Sequence, residues 1–406
     1  MTEHQMIILL WVVILYVAFW AGKRRISHIA LKNPQDRLQT LPRYYGYCTA
    51  LWVFVPLLTL TVLWFSSLGS GIAHPLYYGL SAAIVLTVMA VSVRTIARPL
   101  FGAHRHYERW VRGFLFISAT VSVVVTIAIV ASVLFEALRF FDRIPAGEFF
   151  FGLQWSPQSS TYASDAQSAK SFGAIPVFLG TCMIMLVAML IAVPIALFSA
   201  IYICEYANRR VRRIVKPLLE LLAGIPTVVY GFFAVLVVSP LIRDMGAALG
   251  LDISTESALA AGLVMGVMII PFVLSLSEDV MNAVPRSLIE ASLGLGATRS
   301  ETMRLVVLPA ALPGIVSAVL LGVSRAIGET MIVVMAAGLS AELTLNPLNS
   351  VTTVTVQIVT LLVGDSAFDS PKTLAAFALG LALFFFTLLL NIIALYISRT
   401  YQEKYE

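Results

Sequence analysis

The run ALPGIVSAVLLGVSRAIGETMIVVMAAGL, residues 311–339, is apolar apart from two serines, a threonine, and the charged residues Arg325 and Glu329 near its middle. A stretch this long reads as a helix that crosses a membrane. A charged side chain at the bilayer centre costs about 2.5–3.5 kcal/mol on insertion scales, so the pair needs a reason. Four residues of separation place Arg325 and Glu329 on one helix face, within reach of each other. In the middle of such a run they do not both snorkel to the interface, so they face the bundle interior, a water-filled cavity or another chain. One reading is a self-neutralised pair that locks packing; buried pairs are often near neutral for stability, which weakens it. The other is a station on a substrate pathway. A guanidinium offers a planar fork matched to two oxyanion oxygens and stays charged when desolvated. Glu329 then acts as a competing internal anion that eases release, and it favours an oxyanion that still carries a proton, whose hydroxyl can donate a hydrogen bond to it. Ser324 and Thr330 flank the pair with hydroxyls.

The rest of the chain agrees that the setting is lipid. Of 406 residues, 12% are charged, against roughly 25% in soluble domains. Hydrophobic residues make up 59%, and the mean hydropathy is +0.90. Nine apolar runs are long enough to span, near residues 6–22, 47–68, 75–93, 113–138, 173–203, 217–241, 257–277, 311–339 and 373–397. The chain is therefore an all-α polytopic membrane protein. With the N-terminus outside, twenty-one Lys and Arg residues fall in inside segments and five in outside ones, which puts the C-terminus in the cytoplasm. The first run is followed by Lys23, Arg24 and Arg25 and lacks a basic lead-in, so it reads as a membrane helix and not a removed signal.

That asymmetry explains the net charge of +5 and removes any pointer to nucleic acid. Three scattered cysteines give no disulfide framework or metal spacing, and His104 and His106 sit in a basic loop at positions that a helix points apart. No G-x-x-x-x-G-K-[ST] loop occurs, so the chain itself binds no ATP by that device and carries no cofactor; any ATP is used by a partner ATPase. The basic segment RTIARPLFGAHRHYERWVRG, residues 94–113, divides a three-helix extension, 1–112, from a six-helix domain, 113–406. Residues 154–170 read as an outside loop rich in turn formers, and Pro194, Pro226 and Pro271 lie within spans.

The cytoplasmic loop 278–310 reads as two short helices. Pro285 starts the first. Thr298 and Glu301 have capping-box spacing for the second, which is expected to stop before Pro309. Leu288, Ile289, Ser292 and Leu295 give the first a partly apolar face. Such a hairpin either rounds off the bundle or offers a knob to a soluble partner. Glu290, Ala291 and Gly296, followed by Val306, Leu308 and Pro309, resemble the EAA loop of ATP-binding-cassette importer permeases. Ser292 and Val306 depart mildly from the pattern. The resemblance implies coupling helices that fit a groove of the ATPase, with Glu290 and Gly296 central.

SRAIGETM at 324–331, LLAGIPTVVYG at 221–231, EYANRRVRRIVKP at 205–217 and the F-G-x-x-P-x-x-x-G-T run at 172–181 are similar to PstC-type permease subunits of bacterial phosphate importers, over about residues 113–400. The similarity implies a type I six-helix permease core, here preceded by three extra helices, in the bacterial inner membrane. It implies phosphate import with a second permease subunit, two copies of an ATPase and an external phosphate-binding protein, and roles in transport for Arg325 and Glu329. A permease for another oxyanion or small solute, and a membrane sensor or scaffold that moves nothing, remain the alternatives. Glu220 and Gly224–Pro226 rank below Arg325 and Glu329, as an interfacial charge and either a packing kink or a gate.

Overall fold

The computed structural model describes residues 3–32, 41–67, 74–96, 102–157, 171–363 and 370–400. Most of the outside loop 154–170 lies outside the described residues. The described chain is helical, with one isolated antiparallel bridge, Trp155 to Phe172, and no sheet. It forms two compact units, residues 1–128 and 129–406.

The first unit holds α1 (Glu3–Lys32), α2 (Pro42–Ser67), α3 (His74–Ile96) and the start of α4 (Ala103–Phe141). Its core is small, with Ile26, Tyr45, Cys48, Ile96 and Ala103 at one end and Ala18, Val53, Leu57 and Val85 further along. The contact division falls inside α4, between residues 128 and 129. The basic residues that mark the sequence boundary at 112/113 lie earlier in that same helix.

The second unit continues with a short helix α5 (Ala146–Phe151), then α6 (Ile175–Tyr206), α7 (Arg209–Ala223), α8 (Thr227–Ala248), α9 (Ala258–Asn282), α10 (Arg286–Gly294), α11 (Arg299–Ile327), α12 (Met331–Ala336), α13 (Val354–Val363) and α14 (Pro371–Thr400). Among the described residues six helices are long and apolar enough to cross a membrane: α4, α6, α8, α9, α11 and α14. With α1 to α3 ahead of them, this is the six-helix core with its three-helix extension.

Small residues bring α6 and α9 together. Ala188, Ala192, Ala196 and Ala200 recur every fourth position on α6, and all are fully buried. On α9, Gly262 lies against Val187 and the Ile184 carbonyl, and a Cβ on Gly266 would stand 2.9 Å from the Ala188 carbonyl oxygen. Without water to expel between helices, close backbone approach and van der Waals contact hold such a pair.

Three sequence expectations are corrected. The run 217–241 is two elements, because Gly224 caps α7 and Pro226, which lacks an N–H, cannot continue it. The crossing helix α8 begins only at Thr227; α7 is amphipathic, with Val215, Leu219 and Leu222 packed on the core and Arg209, Arg210 and Arg213 exposed. The run 311–339 also breaks, after Ile327, and the helix that carries its first part begins about three turns before it, at Arg299. Finally, the second loop helix does not stop before Pro309 but runs into α11. A π-turn at Met303–Val307 precedes Pro309, and another at Ala234–Val238 precedes Pro240 at the same spacing. The wider turn relieves the clash between a proline ring and the carbonyl four residues back.

Gly266→Leu is expected to overpack the α6–α9 contact by about 1–3 kcal/mol. The melting temperature of the purified protein should fall, while Gly113→Ala, where an added Cβ meets nothing within 4 Å, should leave it unchanged.

Candidate functional site

The site is built where α11 ends. Gly328 is the C-cap of α11, and Thr330 is the N-cap of α12, so Glu329 lies in a two-sided break. The break frees backbone donors, and Glu329 takes them: its Oε1 accepts from the N–H of Met331 at 3.1 Å and of Ile332 at 3.5 Å. Its own carbonyl accepts from the Thr355 hydroxyl at 2.9 Å. The Thr330 hydroxyl caps nothing.

The Arg325–Glu329 pair expected from four-residue spacing is not formed. Among the described residues no ion pair joins them, because the helix that would align them ends at Ile327. Arg325 sits in the last turn of α11 and not at the midpoint of a span. Its guanidinium carbon lies 5.5 Å from the centre of the Phe272 ring, a cation–π contact, and the side chain is exposed. Each charge thus rests at the helix end that favours it: the cation at the C-terminus of α11, the carboxylate on the first N–H groups of α12.

Ser324 donates from its hydroxyl to Oδ1 of Asn391 at 3.0 Å, on α14. Asn391 lies within FFFTLLLNIIALY, and a lone amide in such a run was a legible signal that the sequence reading passed over. Thr355 and Gln357 carried no such signal. Gln357 accepts from the Trp155 indole at 2.8 Å and donates to Thr352 and to the Leu339 carbonyl, which fixes the non-helical segment between α12 and α13. The 172–181 run closes on that segment: the Thr181 hydroxyl accepts from the Val354 N–H at 3.0 Å, and Gly180 leaves room for the Thr352 carbonyl. In 221–231, Gly231 lets α8 approach α12, where a Cβ would meet Met331 O at 3.2 Å.

The loop residues form a second group. Glu290 and Ala291 are exposed on α10, and Gly296 follows with φ of +92°, a backbone that disfavours every L side chain. The capping box is present: Thr298 Oγ1 accepts from the Glu301 N–H at 3.3 Å, and Glu301 accepts from the Thr298 N–H at 2.8 Å. Leu308 and Pro309 are built into α11. A rod of 29 residues, about 43 Å, therefore joins this turn at one end to Arg325 near the other.

A third cluster escaped the sequence reading. Glu278 on α9 is 3% exposed, and Lys216 on α7 reaches both it and Asp279 at 3.6 Å. Arg212 donates to the carbonyls of Ile203 and Cys204, the orphan acceptors where α6 ends. Glu220 is exposed on α7. No group of residues able to hold a metal ion occurs among the described residues.

Residues 192–403 match the family model of the binding-protein-dependent transport system inner membrane component, and residues 7–85 match a model described as a phosphate ATP-binding cassette transporter. The probable ABC transporter permease protein YqgH of Bacillus subtilis is 32% identical over 293 residues, covering 71% of this chain and 90% of its own length. The phosphate transport system permease protein PstC 1 of Mycobacterium tuberculosis is 34% identical over 279 residues, covering 62% of this chain and 81% of its own. A chain of a bacterial alginate ABC transporter, solved with an alginate pentasaccharide-bound periplasmic protein, shares the fold at 16% identity and a TM-score of 0.50, over 74% of this chain and 99% of that one.

Glu329→Ala removes the acceptor that caps α12 and should cost about 0.5–2 kcal/mol, read as a lower melting temperature. Glu329→Gln keeps a capping oxygen and should melt close to the wild type.

Proposed function

The chain belongs to the family of inner membrane components of binding-protein-dependent transport systems, and from that membership we propose how it carries phosphate. It is the membrane-spanning permease subunit of a phosphate importer of the ATP-binding-cassette type, a multi-pass inner membrane protein that works with ABC partners. It is not an enzyme; ATP hydrolysis lies in a separate subunit.

The observation that carries the mechanism is the exposed guanidinium of Arg325, held at a helix end with no carboxylate partner among the described residues. A passing oxyanion meets a planar fork that need not first break an ion pair. The C-terminal carbonyls of α11 share that charge, which keeps the seat weak enough to empty. Oε2 of Glu329 makes no hydrogen bond among the described residues, so it is available to accept from a P–OH group. The proposed partners are a second permease that completes the pathway, a homodimeric ATPase that receives α10 and the turn at Gly296, and an external phosphate-binding protein. In the proposed topology the basic ends of α7 and α10 face the cytoplasm, and the distribution of Lys and Arg along the sequence puts the N-terminus outside.

Arg325→Gln should abolish phosphate uptake in cells while the ATPase still copurifies with the complex. Normal uptake by an assembled Arg325→Gln complex removes the proposed seat. Gly296→Trp forces a left-handed backbone on a bulky residue, at roughly 1–2 kcal/mol, and should uncouple ATP hydrolysis from uptake or abolish ATPase copurification. Gly294→Ala, with open space and ordinary backbone, should do neither.

A further inference from the structure

The first unit contains an open-sided cavity of about 520 Å³ between α2, α3 and α4. It is lined by one face of α3, including Val88, Val91, Thr95 and Ile96, by Trp52 of α2 and by His106 of α4. The hydroxyls in it are already satisfied: Ser92 donates to the Met89 carbonyl and Thr95 to the Val91 carbonyl, each at 2.9 Å. What the cavity presents is therefore mostly hydrocarbon, with room for one acyl tail.

Its surroundings are charged. The C-terminal end of α3 and the N-terminal end of α4 both contribute to its wall, and they carry Arg94, Arg105 and Arg109, all exposed, which do not line the cavity but lie within three residues of Thr95 or His106, which do. Arg109 lies three residues beyond His106, on the same side of α4. No ion pair engages these three arginines among the described residues; the neighbouring carboxylate, Glu108, lies 3.5 Å from His104. Trp52 and Trp110 pack edge to face at 6.5 Å between ring centres, the kind of amphipathic ring that sits at a membrane interface.

We propose that this cavity holds the tail of an anionic phospholipid whose headgroup phosphate is bound by Arg94, Arg105 and Arg109. An apolar slot in lipid accepts a tail of any lipid, so the tail supplies no selection. The cationic rim selects, since each basic residue near the surface contributes about 1 kcal/mol towards an anionic headgroup. Free phosphate would use the rim and leave the slot empty. The proposal rests on membrane embedding alone and stands or falls separately from the transported substrate.

The test uses the whole complex, delipidated in detergent and then exposed to equimolar phosphatidylglycerol and phosphatidylcholine, with retained lipid counted by native mass spectrometry. Wild type should retain phosphatidylglycerol in preference. Arg105→Gln with Arg109→Gln should reduce that preference by roughly twenty-fivefold, about fivefold per arginine. Val91→Trp, which fills the slot, should lose retention of both lipids. Should Val91→Trp fail to assemble, the arginine variant carries the decision, because its changes lie at exposed positions. Equal retention by wild type and the arginine variant overturns the proposal, as does equal retention of the two lipids by wild type. Displacement of the lipid by excess inorganic phosphate would assign the rim to a soluble anion and also overturn it.

Discussion

A backbone donor or acceptor that loses its helical partner inside a membrane must find another within the protein, and the break at Gly328–Thr330 shows how this chain meets that demand. Two N–H groups are taken by the Glu329 carboxylate and one carbonyl by the Thr355 hydroxyl. These bonds replace the helical partners that the break removes. The acidic residue in the apolar run is thus first a cap, and its charge is offset by the amides it satisfies. Arg325 on the other side of the break is stabilised by the carbonyls that end α11. Because each charge has its own support, neither needs the other, and the cation is left available.

The surrounding packing holds this break in place. The α6–α9 contact, closed by alanine and glycine, gives a rigid pair against which α11 and α12 rest. Thr181 at the start of α6 fixes the first N–H of α13, and Thr355, one position further on, holds the Glu329 carbonyl. The break is therefore positioned by a route that runs through α6 and α13, and not by α11 alone. α11 in turn carries the exposed turn at its opposite end. Under the proposed function, a tilt of that rod driven at Gly296 would carry to the end that holds Arg325 beside the Phe272 ring.

What was legible in the sequence follows the range of the interaction. The Thr298–Glu301 box depends on neighbouring residues and appears as written; six of the nine apolar runs correspond to helices able to cross among the described residues, two of them with shifted bounds. The two helix breaks were also local signals: I-G-E-T puts a C-cap glycine directly before the glutamate that accepts from the next helix's first N–H groups, and A-G-I-P ends one helix and delays the next. They were lost because averaging hydropathy over a long run does not register a cap. Pro309 misled in the opposite direction, since a π-turn lets a helix pass through a proline that ordinarily stops it. The partners of the site were beyond reach for a different reason. Thr355 is 26 residues from Glu329, Asn391 is 67 from Ser324, and Trp155 is 202 from Gln357. Nothing in the spacing of one segment encodes a hydrogen bond of that range.

The missing ion pair changes how the site must be understood. Had Arg325 and Glu329 been joined, an incoming anion would have had to displace a carboxylate, and departure would have been driven by that carboxylate's return. With the pair apart, the balance is set by the helix end. A guanidinium shared with carbonyl oxygens and an aromatic face binds an anion less tightly than a bare one. In the proposed mechanism release then requires no internal competitor, and Glu329 discriminates through the oxygen that it does not spend on its cap. A carboxylate in that role repels a fully deprotonated oxyanion and accepts from one that retains a proton. The proposed mechanism in this way divides selectivity and release between groups on the two sides of a single helix break.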